Sequence, residues 1–164
     1  MLICDVRRAY FYAPVEKKIF VELPDEDKTE GLGEVAALNF SLYGTRAAAS
    51  HWHKRYSSHL RSIGFSSGLA NPCLCYHASH DIKVYVHGDD YAAVGEDLDL
   101  VWLESEIRKE FDIKSERFGP GCSLRATSGG TEEKSVVSLL GRILEWHDDG
   151  ITYEADPIHA EIII

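Results

Sequence analysis

Between Thr45 and Ile63 apolar residues recur every four positions: Ala48, Trp52, Tyr56 and Leu60 fall on one stripe. That period is close to one helical turn and predicts a helix over 45–63 with one buried face. Thr45 reads as its N-cap and Gly64 as its C-terminal stop. A second helix is expected over 98–111, where Leu100, Leu103, Ile107 and Phe111 recur at helical spacing.

Elsewhere the apolar residues alternate, or run in short blocks bounded by Gly, Pro or Asp, and this predicts strands. Two are Leu2–Val6 and Ile19–Leu23, the latter stopped by Pro24. Cys73–His77, Ile82–Val86 and Tyr91–Val94 follow, with His87-Gly88-Asp89-Asp90 as a hairpin turn between the last two. Val136–Leu144 and Gly150–Tyr153 read as strands around a His147-Asp148-Asp149-Gly150 turn. Asp25–Gly33 reads as a loop, Phe118–Lys134 as a mobile insertion rich in Gly, Ser and Thr, and Pro157–Ile164 as the start of a helix. Strands in runs, interrupted by two helices, predict an α+β fold: an antiparallel sheet with both helices on one face. The nearest named arrangement is the ferredoxin-like split βαβ unit. The expected organisation is a single domain over 1–164.

Composition adds bounds. The chain has 164 residues and is 45% hydrophobic, enough for one core. No apolar run approaches the ~20 residues of a membrane span. Met1–Asp5 reaches a carboxylate without a basic leader. The expectation is a soluble intracellular protein, in a cytoplasmic particle or the nucleus, with no membrane partner. Cys4, Cys73, Cys75 and Cys122 lack a CxxC spacing and read as free thiols of a reducing compartment. His51 and His53, two positions apart, fall on different helix faces, so no structural zinc is expected there. The net charge of −10 opposes contact with phosphates, which need Lys and Arg. Yet the stretch 35–80 holds Arg46, Lys54, Arg55 and Arg61 and no Asp or Glu. It reads either as a cationic face on an acidic body or as a solvated helix face.

Three acids stand where solvation alone does not explain them. Asp5 ends an apolar strand, and Asp89 and Asp90 occupy a hairpin tip between two apolar strands. If those strands are neighbours, Asp5 and Asp89 converge at one sheet edge. Carboxylates so placed suit a pair of Mg²⁺ ions about 3.5–4 Å apart, because hard Mg²⁺ prefers oxygen ligands. Taken alone, an Asp-Asp hairpin is more often only a turn. The order of the motifs carries the reading.

Asp5-Val6-Arg7-Arg8-Ala9-Tyr10-Phe11 resembles the first palm motif of reverse transcriptases, an Asp followed five residues later by an aromatic. Ile19–Pro24 resembles the "VYMEQP" segment of the copia type, and Ser41-Leu42-Tyr43-Gly44 matches its "SLYG", with Trp52 on the tryptophan that follows. Leu60–Phe65 and Ala70–Leu74 resemble "LxSLGF" and "ADPSLF". Val86-His87-Gly88-Asp89-Asp90 is similar to the "YVDD" motif, with Gly95 on a glycine beyond it, and Leu139-Leu140-Gly141 to "FLG". Gly150-Ile151 is similar to a later "GI". The resemblance to copia-type retrotransposon reverse transcriptases runs from Leu2 to about Ile162.

That resemblance implies a polymerase palm that transfers a nucleotide from a dNTP to a primer 3′-hydroxyl on an RNA or DNA template, with Mg²⁺ or Mn²⁺. It implies Asp5 and Asp89 as metal ligands with the Val6 carbonyl, and Asp90 as the third catalytic acid. Tyr10 would be the steric gate under the sugar. Arg46 and Lys114 would serve the nucleotide, Lys114 by protonating pyrophosphate. Gly88, Leu140 and Gly141 would meet the primer. The remainder of a Pol polyprotein, including fingers, thumb and RNase H, is the implied partner, with the fingers lacking ahead of Asp5.

The sequence departs from the family at several points. Arg46-Ala47-Ala48-Ala49-Ser50 stands where the family has "KQAPR", so Ala47 replaces a glutamine that helps hold nucleotide and template. His87 and Gly88 replace the tyrosine and valine of "YVDD". A palm that binds nucleic acid or a partner protein without chemistry is therefore a second reading. A nucleotidyl cyclase on a similar sheet is a third, opposed by the SLYG and LRSIGF segments.

Overall fold

The computed structural model describes residues 1–29, 33–119 and 133–155. In chain order its strands and helices are β1 (Leu2–Val6), β2 (Phe20–Glu22), β3 (Val35–Ala37), α1 (Ala48–Ser62), β4 (Ser66–Ser67), β5 (Leu74–His77), β6 (Ile82–His87) and β7 (Asp90–Val94). Then come α2 (Asp97–Glu110), β8 (Ile113–Phe118), β9 (Glu133–Lys134), β10 (Val136–Leu139), β11 (Arg142–His147) and β12 (Gly150–Ala155). The expected α+β class holds. Among the described residues no helix is long and apolar enough to cross a membrane.

Seven strands form the main sheet in the order β4-β5-β6-β7-β1-β8-β9. β1, first in the chain, lies in its middle, antiparallel to both β7 and β8. The strand alternation explains why. Leu2, Cys4 and Val6 are buried on the face that carries the helices, while Asp5 between them is exposed on the other. The helix stripes meet that inner face: Trp52, Tyr56 and Leu60 from α1, and Leu100, Leu103 and Ile107 from α2, share one core with Val84, Val86, Tyr91 and Ile113. The opposite face near β1 and β8 is covered by a second sheet, β10-β11-β12, through a smaller core of Ile3, Phe118, Val137 and Leu144.

α1 begins at Ala48, three residues after the expected cap. Thr45 Oγ1 donates to the Leu42 carbonyl at 2.8 Å, so its hydroxyl serves a local turn, and Ala47 opens the helix without a side-chain cap. The stop at Gly64 is as expected: its φ is +99°, and a Cβ there would come within 2.5 Å of His77 Nε2. His77 Nδ1 accepts the His80 amide, which leaves Nε2–H to donate to the Ile63 carbonyl at 3.0 Å.

Two expectations need correction. Val136–Leu144 is not one strand but β10 and β11, folded back at Leu140 and Gly141, whose φ values of +51° and +68° make the turn. β8 carries too many polar residues for its alternation to show in the sequence. Its polar members Ser115 and Arg117, with Arg108 of α2, hydrogen-bond the Glu104 carboxylate, which fastens α2 to the strand. The ends of the expected insertion are also strand: Phe118 is fully buried, and β9 pairs parallel with β8. Residues 120–132, its interior, lie outside the described residues, as does the expected helix start at 157–164.

Candidate active site

The register of the main sheet lines up four side chains across four strands. His87 of β6 pairs with Asp90 of β7, Asp90 with Asp5 of β1, and Asp5 with Lys114 of β8. Alternation puts this row on the face away from the helices. Two carboxylates directly opposite each other in an antiparallel pair repel. Here they stand between two side chains that bear or accept positive charge. Burial, then the Asp89 and Asp5 carboxylates, raise the Asp90 pKa above its ordinary value, and His87 pulls the other way.

Asp89 is the next residue in the hairpin turn. The Val6 amide donates to the Asp89 carbonyl at 2.9 Å, which ties the end of β1 to the hairpin tip. On the other side of Asp89, Trp52 Nε1 donates to the Gly88 carbonyl at 2.7 Å. Gly88 has φ +60°, a left-handed conformation that favours glycine.

After β1 the chain passes through Arg8, also left-handed at φ +56°, into a short 3₁₀ turn over Ala9–Tyr12. That turn presents Tyr10, half-buried, with its ring centroid 4.5 Å from Tyr43. Tyr43 is 47% exposed. What burial it has, and after it the Asp89 carboxylate, Tyr10 and Asp5, push its phenol above the ordinary value. Tyr43 therefore stands beside the carboxylates, and the sequence reading did not name it as a site residue. Its place in the SLYG match was the signal that could have found it. Ser41, two residues before, is buried, and its Oγ lies 2.9 Å from His51 Nδ1, which moors this segment to α1.

A cleft of about 360 Å³ opens between the carboxylate row and β10, lined by Ile3, Asp5, Asp90, Lys114, Glu116 and Val136–Ser138. Lys114 Nζ lies 3.6 Å from Glu116 on its own strand. The structure thus gathers Asp5, Val6, Gly88, Asp89, Asp90, Tyr10 and Lys114 around one end of the sheet. Leu140 and Gly141 form the turn that ends β10. Arg46 is exposed on the approach to α1, outside the row. Of the cations in 35–80, Lys54 pairs with Glu16 and Arg55 with Glu110, so two of the four charges of the expected cationic face are neutralised.

Among the described residues no three His, Cys, Asp or Glu side chains form a ready metal cage. The donors still fit Mg²⁺, an ion usually held by one or two carboxylates, with waters and substrate phosphates completing its shell. A facing carboxylate pair with a third acid in the adjoining turn is that kind of donor set.

An antiparallel sheet backed by two helices, with an acid row on the face away from them, defines a class of α+β domain rather than one protein. Comparison with known sequences narrows it. Residues 2–120 match the family described as reverse transcriptase (RNA-dependent DNA polymerase). The chain belongs to this family and is of the copia type. It is 29% identical over 115 residues to the retrovirus-related Pol polyprotein from transposon TNT 1-94 of Nicotiana tabacum. That match covers 67% of this chain and 9% of the polyprotein.

Proposed function

We propose that this domain is a polymerase palm whose acid row performs two-metal nucleotidyl transfer. The primer 3′-hydroxyl gives up its proton to solvent water, its oxygen forms a bond to the α-phosphorus of a dNTP, the bond from that phosphorus to the bridging oxygen breaks, and pyrophosphate leaves. The observation that carries this reading is the register of Asp5 against Asp90, with Asp89 held in the turn beside them. The order β6-β7-β1-β8, with α1 leading from β1 towards β6 and α2 from β7 to β8, fits the split βαβ arrangement of a palm.

Asp5, Asp89 and Asp90, with the Val6 carbonyl, would hold Mg²⁺ or Mn²⁺. When bound, the two ions lower the cost of the 3′-alkoxide and of charge on the leaving group. The chain's own groups position the rest. Tyr10, braced by Tyr43, forms the floor under the sugar and leaves no room for a 2′-hydroxyl. Lys114, opposite Asp5, gives a proton to the departing pyrophosphate oxygen. Leu140 is exposed in a left-handed turn, a strained conformation for a branched side chain, and with Gly141 and Gly88 it meets the primer. Template, primer and the remaining parts of a Pol polyprotein are the partners of this reading, in an intracellular setting.

Metal-dependent primer extension by the wild-type chain that disappears in Asp89→Asn supports the reading. Extension unchanged in that variant sinks it. Ala47, where the family has glutamine, favours a second reading: a palm that binds nucleic acid without chemistry. Binding without extension at any metal concentration selects it.

A further inference from the structure

We infer that Trp52 is a positioning residue for the catalytic hairpin: its indole N–H fixes the backbone on which Asp89 is presented. The inference rests on the two-metal reading above.

Two peptide planes flank Asp89. The plane before it contains the Gly88 carbonyl, which accepts from Trp52 Nε1 at 2.7 Å. The plane after it contains the Asp89 carbonyl, which accepts from the Val6 amide at 2.9 Å. One anchor comes from α1 and the other from β1, so both planes are held from outside the hairpin. A residue whose flanking planes are both fixed has little backbone freedom left. Its carboxylate then departs from one place only by side-chain rotation.

Gly88 makes the first anchor necessary. It is left-handed, and a Cβ added there would meet nothing within 4 Å. No neighbour braces this residue from the Cβ side, and its carbonyl direction is set by torsion and by its hydrogen bond. Trp52 is suited to hold it. The side chain is 1% exposed, with ring centroids 5.6 Å from Tyr56 and 5.1 Å from Phe111. The indole is therefore rigid, and its one polar atom is aimed at the hairpin. Groups that collect metal and phosphate need placement to within about 0.5 Å, supplied by neighbours whose own rotamers are locked.

The test is a Mg²⁺ titration of the full chain followed by ¹H–¹⁵N spectra, which report the indole N–H groups and the Asp89 amide together. In the wild type the Trp52 indole signal, assigned by its proximity to Gly88, should exchange slowly and shift with the same midpoint as the Asp89 amide. The signals of Trp102 and Trp146 should stay in place. Trp52→Phe keeps an aromatic ring and removes the donor. Its Mg²⁺ midpoint should rise about three- to ten-fold, the scale of one hydrogen bond. Leu103→Ala cuts into the core under α2 without touching the positioning contacts, and should lower Tm while leaving the midpoint unchanged.

A Mg²⁺ midpoint in Trp52→Phe equal to wild type overturns the inference. So does a silent Trp52 indole in a chain whose Mg²⁺ response is lost in Asp89→Asn, and neither result touches the two-metal reading. A wild-type chain with no Mg²⁺ response at all overturns the reading, and the inference falls with it.

Discussion

Asp5 of β1 stands directly opposite Asp90 of β7 in an antiparallel pair, two like charges at matched positions of the central sheet. Such a pairing costs stability, on the order of 0.2–1 kcal/mol, unless a cation lies between the carboxylates. Asp5→Asn and Asp90→Asn should each therefore raise Tm by about 1–2 °C in EDTA. Added Mg²⁺ should stabilise the wild type and leave both variants unmoved. Thermal melts with and without Mg²⁺ decide it. Variants less stable than wild type in EDTA would mean that the pair is not repulsive.

Tyr10 and Tyr43 form an aromatic pair beside the same acids, with centroids 4.5 Å apart. If the Tyr10 ring excludes the 2′-hydroxyl, Tyr10→Ala should raise the ratio of ribonucleotide to deoxyribonucleotide incorporation by about tenfold, equivalent to about 1.4 kcal/mol of lost discrimination. Tyr43→Ala should loosen Tyr10 and raise KM for both nucleotides without restoring discrimination. Steady-state incorporation with each nucleotide separates the two. Equal ratios in wild type and Tyr10→Ala would remove Tyr10 from the gate.

The thiols offer a check on the packing itself. Cys4 lies in the core, and burial pushes its thiol up to about 12, so at pH 8 it stays protonated and shielded. Cys75 is also buried, and its pKa is raised chiefly by burial. Cys73 is only half-buried. Iodoacetamide at pH 8 should label Cys73 well before Cys4 or Cys75 in the folded chain, and all of them in denaturant. Peptide mass spectrometry reads the order. Early labelling of Cys4 would mean that β1 is not in the centre of the sheet.

Much of this was legible in the chain, for reasons that differ by element. The α1 stripe Ala48, Trp52, Tyr56 and Leu60 is buried as its period required, because burial of one helix face leaves a mark every turn. The Ile82–Val94 hairpin was equally plain, with buried residues alternating on both arms around a Gly-Asp turn. β8 was not, because Ser115 and Arg117 are partly or fully buried as partners of Glu104, and a polar residue that faces protein looks in sequence like one that faces water. The strand register sets Asp5 against Asp90, and the bond from the Val6 amide to the Asp89 carbonyl keeps Asp89 at the same sheet edge. Register depends on which residue of the turn is the last to pair, and Asp89-Asp90 gives no local sign of that. Tyr43 and the Trp52 bond to Gly88 rest on contacts between distant segments, which no period reveals.

Glu104 shows how the polar side of that packing should respond to pH. Its carboxylate accepts from Ser115 Oγ at 2.6 Å, Arg108 at 2.9 Å and Arg117 at 2.9 Å, and its side chain is 13% exposed. Burial alone would raise its pKa, but the hydrogen bonds from Ser115, Arg108 and Arg117 outweigh it, and the folded-state value lies below the ordinary 4.5. A carboxyl with a depressed pKa binds its proton more readily in the unfolded chain. Its contribution is therefore complete above pH 4.5 and is lost as the pH falls from there through the folded-state value. Glu104→Gln should flatten the acid limb of the stability curve over that window. At pH 7 it should cost about 3 kcal/mol, because Arg117, itself nearly buried, is left without its partner. Denaturant melts of both proteins between neutral pH and about pH 3 test this. Parallel acid limbs would show that Glu104 is not the group that titrates, and an undiminished stability at pH 7 would show that α2 is fastened to β8 by packing alone.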